Sequence, residues 1–184
     1  MLDQVLTVFE ITPDFDLDIM QAGQGLDYIT CAALTGVQKV IRDCRPDRVL
    51  VQGDTTTTFA AALAAFYEKV PVGHVEAGLR TGNVYSPWPE EMNRRMTSVI
   101  CDLHFPPTET ARQNLRAEGI ADDRIMVTGN TVIDALLQAI DIIDASPDLQ
   151  DRLEKQCGFI DPGKRLVLTT GHRRENFDGG LERV

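Results

Sequence analysis

The strongest constraint on this chain is an alternation of short strand-like runs with longer helical stretches. Arg48-Val-Leu-Val-Gln52, Val70-Pro-Val-Gly-His-Val75, Leu103 to Phe105 and Ile125 to Val127 read as strands. Residues from about Leu26 to Cys44 carry helical spacing, with Ile29, Ala33, Val37, Val40 and Ile41 apolar. An alanine-rich helix is expected from about Thr56 to Lys69, then helices from about Pro89 to Ile100 and from about Thr108 to Glu118. This βαβα order predicts an α/β fold, a Rossmann-like parallel sheet flanked by helices.

Residues 130–145 form a further helical segment, and a shorter one runs from Pro147 to about Lys155. After a turn at Phe159 to Gly163, Lys164 to Thr170 reads as the first strand of something new. We therefore expect an N-terminal domain over 1–129, a helical connection over 130–163, and the start of a second domain over 164–184. Residues 1–11 read as the tail of an amphipathic helix without an N-cap, and the last residues stop where a helix should begin. Both ends read as cut.

Composition narrows the function classes. The chain has 184 residues, 43% of them hydrophobic, enough for a real core. Its 18 Lys+Arg against 28 Asp+Glu leave a net charge of −10, which argues against a nucleic-acid surface. A small phosphorylated ligand held by one or two arginines remains compatible. The 4 cysteines show neither CxxC spacing nor zinc-like pairing with the 3 histidines, so no metal is expected. With no leader and no apolar run long enough to span a bilayer, a soluble cytoplasmic protein away from the membrane is expected.

Ligands of open parallel sheets bind at the carboxyl ends of strands. Three such ends are unusually polar: Gly53-Asp54-Thr55-Thr56, His74-Val75-Glu76-Ala77-Gly78 and Gly171-His172-Arg173-Arg174-Glu175. At the first, the plain reading is a glycine turn, Asp54 as N-cap and threonines in the opening helical turn. The alternative is a carboxylate facing a crevice. No P-loop is present, because the Gly-Lys-Ser/Thr ending is missing. Strand alternation places His74 and Glu76 on one side, so Glu76 is either a solvated loop carboxylate or a site residue.

Residues 84–95, VYSPWPEEMNRR, place Glu90 and Glu91 in the first turn of a helix, behind two prolines and the only Trp. Acidic residues there complement the helix dipole. A carboxylate held near Asp54 or Glu76 would equally suit proton transfer, since crowded acids shift one another's pKa. His172 with Arg173 and Arg174 is either a solvated turn or a phosphate site. His104, within an apolar strand, reads as a satisfied interior residue.

Taken together, GDTTTT (53–58), PVGHVEAGLRTG (71–82), SPWPEEMNRR (86–95), FPPTETARQNL (105–115), TGNTVIDAL (128–136) and TGHRREN (170–176) resemble the non-hydrolysing UDP-N-acetylglucosamine 2-epimerases of bacterial type. The motifs keep family order over essentially the whole chain. The resemblance implies two Rossmann-like domains in the GT-B arrangement, both incomplete here, with UDP-sugar in the cleft between them. It implies interconversion of UDP-GlcNAc and UDP-ManNAc by elimination of UDP to 2-acetamidoglucal, then re-addition with inverted C2. No cofactor is implied.

Position by position, the resemblance makes Asp54, Glu76 and Glu90 acid/base candidates. It places His172 near the UDP phosphates with Arg173 as a helper, and leaves Glu91 as a helix-start residue. Gln52 stands where some relatives carry His. The family's first strand, with its Gly-Thr-Arg-Pro-Glu loop, would precede Met1, and its second domain would continue beyond Val184. The 184-residue segment alone is accordingly expected to be inactive. A homodimer and activation by UDP-GlcNAc at a second site are also implied. Alternatives are a hydrolysing relative releasing ManNAc and UDP, a GT-B glycosyltransferase, or a non-catalytic binding fragment.

Overall fold

A computed structural model describes residues 2–161 and 163–168. In chain order its helices are α1 (Leu2–Val8), α2 (Leu26–Cys44), α3 (Thr56–Tyr67), α4 (Glu90–Ile100), α5 (Glu109–Ala117), α6 (Thr131–Asp144) and α7 (Pro147–Gln156). Its strands are β1 (Val49–Gln52), β2 (Val72–Val75) and β3 (Leu103–Phe105). The chain divides into two compact units, residues 14–130 and residues 1–13 with 131–184.

In the unit of residues 14–130, the three strands lie parallel in the order β1-β2-β3. Val49 pairs with Val72, and His74 with His104. Parallel neighbours need long crossovers, and α3 and α4 supply them. Helix α3 packs against α2, α4 and the sheet at once. Its alanines make that possible: Ala60, Ala62, Ala64 and Ala65 are fully buried, and small side chains let the backbones approach closely. Ile41, Val51, Val72 and Cys101 complete this core. A second cluster gathers Ala77, Leu115 and Ile125 around α5. Gly78 lets the loop after β2 lie directly on α5: its φ is +83°, and a Cβ there would lie 2.3 Å from the Ala111 carbonyl oxygen.

The fourth expected strand, Ile125 to Val127, is reduced to one bridge from Ile125 to His104. Met126 N donates to His104 O at 2.9 Å and Thr128 N to Pro106 O at 3.1 Å, as a parallel ladder requires. The return bond must come from residue 106, and proline has no N–H to give. Pro106 therefore ends the sheet there.

In the other unit, α6 and α7 pack against each other, with Ser146 capping α7 by accepting from Leu149 N. The strand expected over 164–170 does not form in its described part. Residues 164–168 are irregular, and Leu166, Val167 and Leu168 are exposed, since this run has no ladder partner among the described residues. Residues 169 and 170 lie outside the described residues. No described helix is long and apolar enough to cross a membrane.

Candidate functional site

The Asp54 turn grows directly out of β1. Gly53 adopts φ +74°, a left-handed geometry that glycine enters without steric cost, and its N–H donates to Val75 O at 3.0 Å. The cap of α3 is Thr55, not Asp54 as the sequence suggested: Thr55 Oγ1 accepts from Thr58 N at 3.2 Å. Buried Thr58 in turn donates its hydroxyl to Gln52 O at 2.6 Å. With two threonines fastening the turn, the Asp54 carboxylate is released from capping.

It is taken instead by α4. Arg94 Nε and Nη2 both donate to Asp54 Oδ2, at 2.9 and 2.8 Å, and Asn93 Nδ2 donates to Asp54 O at 2.9 Å. Arg94 Nη1 reaches back to Glu91 Oε2 at 3.2 Å. Glu91 does more than start the helix. It is fully buried, and its oxygens accept from Thr81 N (3.1 Å), Gly82 N (3.3 Å) and Arg95 Nε (3.2 Å). Burial alone would raise its carboxyl pKa, but those amides, Arg95 and the charge of Arg94 together hold it below the usual range. Arg80, also nearly buried, ties the same loop to Ser98 and forms a fork with Glu118.

Glu76 enters from β2. The strand stops at Val75, and Glu76 has φ +64°, so strand alternation does not carry through it. That geometry is uncommon for a residue with a Cβ, and it brings the carboxylate over Gly53: a Cβ on Gly53 would lie 3.4 Å from Glu76 Oε2. Backbone bonds hold it there, with Glu76 N and Ala77 N both donating to Phe105 O. Burial first, and then the negative charge of Asp54, raise the Glu76 carboxyl pKa, while Arg94 opposes the rise.

Glu90 lies one helical turn before Asn93 and Arg94, on the face from which both reach Asp54. It makes no hydrogen bond or ion pair to another described residue. The structure thus brings Asp54, Glu76 and the start of α4 to one end of the sheet. His172, Arg173 and Arg174 lie outside the described residues.

Two histidines sit beneath this end. His74 is fully buried, with Nε2 2.7 Å from Gly53 O, and burial lowers its pKa. His104, its neighbour across the ladder, is buried as expected but not satisfied: neither ring nitrogen makes a hydrogen bond of normal geometry. Burial, and then the proximity of His74, push its pKa down to about 4, with the Cys101 backbone only partly offsetting this.

Sequence reasoning missed Arg94, Arg95, Asn93 and Arg80. A signal was available: Glu91, Arg94, Arg95 and Ser98 repeat at helical spacing, so α4 carries a continuous polar face. Glu91 and Ser98 on that face are buried, while Met92 and Val99 are exposed. A groove of about 580 Å³, lined among others by Phe66, Tyr67, Pro71 and Ile100, opens at the other end of the strands, away from these carboxylates. Among the described residues, no group of three or more His, Cys, Asp or Glu is arranged to hold a metal ion.

A family model described as UDP-N-acetylglucosamine 2-epimerase matches residues 1–184. The UDP-N-acetylglucosamine 2-epimerase of Escherichia coli K12 is 58% identical over 184 residues, all of this chain and 49% of that protein. The protein of the same name from Yersinia pestis is 57% identical over the same shares. Among solved structures, Neisseria meningitidis UDP-GlcNAc 2-epimerase bound to UDP-GlcNAc superposes with a TM-score of 0.93 at 52% identity, covering 98% of this chain and 48% of that one. The Methanocaldococcus jannaschii enzyme in complex with UDP-GlcNAc and UDP gives a TM-score of 0.76 at 37% identity, over 83% of this chain and 42% of that one. The chain spans about half the length of the curated relatives it matches.

Proposed function

This chain belongs to the UDP-N-acetylglucosamine 2-epimerase family, and from that premise we propose that the full-length protein carrying it interconverts UDP-GlcNAc and UDP-ManNAc. The observation that carries the reading is the convergence of Asp54 and Glu76 at one sheet end, with Glu90 one turn from the arginine that binds Asp54.

The C2 proton of the sugar is not acidic, because no carbonyl adjoins it. Breaking the anomeric C1–O bond first gives C1 oxocarbenium character and sends the electron pair to UDP. A carboxylate then removes the C2 proton, closing the C1–C2 double bond of 2-acetamidoglucal. Re-protonation at C2 from the opposite face and return of the UDP oxygen to C1 complete the inversion. Two faces require two positioned acid/base groups, and Asp54, Glu76 and Glu90 are the candidates. A positioned base is worth roughly 10²–10⁴-fold.

We assign His172 and Arg173 to the departing diphosphate, whose growing charge needs donors. Residues 164–184 would then open the nucleotide-binding domain, after the connection over 130–163. A homodimer in the cytoplasm completes the proposal.

The deciding experiment incubates the full-length protein with UDP-GlcNAc in D₂O. Deuterium at C2 of recovered UDP-ManNAc is expected, and Asp54→Asn, Glu76→Gln and Glu90→Gln should each cut turnover by roughly 10²-fold or more while remaining folded. Free ManNAc plus UDP would instead mark a hydrolase. Retention of the original hydrogen, or near-normal rates in all three variants, would overturn the assignment.

A further inference from the structure

Asp54 is gripped on its carboxylate by Arg94, but its backbone is gripped from below. Both polar groups of Gly53 are bonded to β2: its N–H to Val75 O at 3.0 Å, its carbonyl to the His74 ring at 2.7 Å. A carbonyl only accepts, so His74 Nε2 carries the hydrogen. His74 Nδ1 is buried without a partner, so a second ring proton there would have no acceptor. His74 is fully buried and cannot touch a bound sugar. Its one polar contact among the described residues is the carbonyl immediately before Asp54, in the turn over which Glu76 also lies.

We propose that His74 is a positioning residue for Asp54, its Nε2–H fixing the Gly53 carbonyl so that the Gly53–Asp54 turn holds its carboxylate in register with Glu76. The inference rests on the epimerase reading above, since it needs Asp54 to act on substrate. An apolar side chain of similar size would fill the space yet let the Gly53–Asp54 peptide rotate. Small displacements of a catalytic group are costly: a misplacement of about 1 Å can lose about 10²-fold in rate.

The test compares His74→Leu, His74→Gln and His74→Asn in the full-length protein. Gln carries an amide N–H the same number of bonds from Cβ as imidazole Nε2; Asn falls one bond short. His74→Leu and His74→Asn should lower kcat by about 10- to 100-fold with KM changed less than about threefold, and His74→Gln should recover most of kcat. Unchanged kcat in folded His74→Leu, or equal losses in Gln and Asn, would overturn the proposal. If His74→Leu does not fold, the Gln-against-Asn comparison decides. In the unsubstituted protein, ¹⁵N shifts should show the Nε2–H tautomer at pH 7; the Nδ1–H tautomer would overturn it whatever the variants do. Wild-type protein that makes no UDP-ManNAc would sink the epimerase reading instead, which keeps the two failures apart.

Discussion

Asp54 and Glu76 meet at Gly53 in different electrostatic settings. Asp54 accepts two hydrogen bonds from Arg94 on one oxygen, whereas Glu76 makes no ion pair among the described residues and feels Asp54 as a like charge. Burial and that like charge favour the protonated form of Glu76. Two substitutions test it in opposite directions. Asp54→Asn removes the repelling charge and should lower the Glu76 carboxyl pKa; Arg94→Met removes the opposing cation and should raise it. A ¹³C titration of the Glu76 carboxyl reads both. No movement in either variant would show that burial alone sets its value.

At the scale of elements, α4 turns the usual helix inside out. It buries Glu91, Asn93, Thr97 and Ser98 while exposing Met92 and Val99. A buried carboxylate is tolerable only when its acceptor positions are filled, and two amides and two arginines fill those of Glu91. Through Arg94 this one side chain links the loop after β2 to the turn after β1. Glu91→Ala should therefore cost about 3 kcal/mol or more of stability, because it strands two backbone amides and leaves two arginines short of a partner. Urea unfolding followed by circular dichroism checks this, and a loss below about 1 kcal/mol would show that the network relaxes.

Across the molecule, acid acts first through the sheet interior. The folded state holds His104 neutral, down to a pKa of about 4, against about 6.5 in an unfolded chain. A base with a depressed folded pKa contributes stability that is complete above the unfolded value and lost as pH falls toward the folded one. The window is thus about pH 6.5 down to about 4, and His104 accounts for roughly 3 kcal/mol across it. His74 adds in the same direction. Carboxylates held low by their hydrogen-bond donors, the Thr81 and Gly82 amides for Glu91 and arginines for Glu118 and Asp102, add their loss at lower pH. Denaturant unfolding at pH 7, 5.5 and 4.5 should show the decline, and His104→Leu should flatten it. An equally steep decline in that variant would place the acid sensitivity elsewhere.

Much of the fold was legible in order and in type. Short apolar runs ended by glycine or proline, and apolar residues at helical spacing, carry their own signal, so α2 and β3 fall where the pattern places them. Asp54 and Glu76 were legible too, as charges standing at strand ends. The strand at 125–127 was not, because whether a run pairs depends on its partner, and the partner here ends in a proline. Nor was the capping of α3, where Thr55 displaced Asp54 by geometry alone. The sequence by itself determined the alternation of elements and the acids at their ends, both local properties of adjacent residues. Only the tertiary structure decided that Arg94 belongs to Asp54, that Glu91 is buried, and that His74 reaches Gly53. Each of those pairings joins separate parts of the chain, and which partner wins depends on packing and desolvation that no local pattern records.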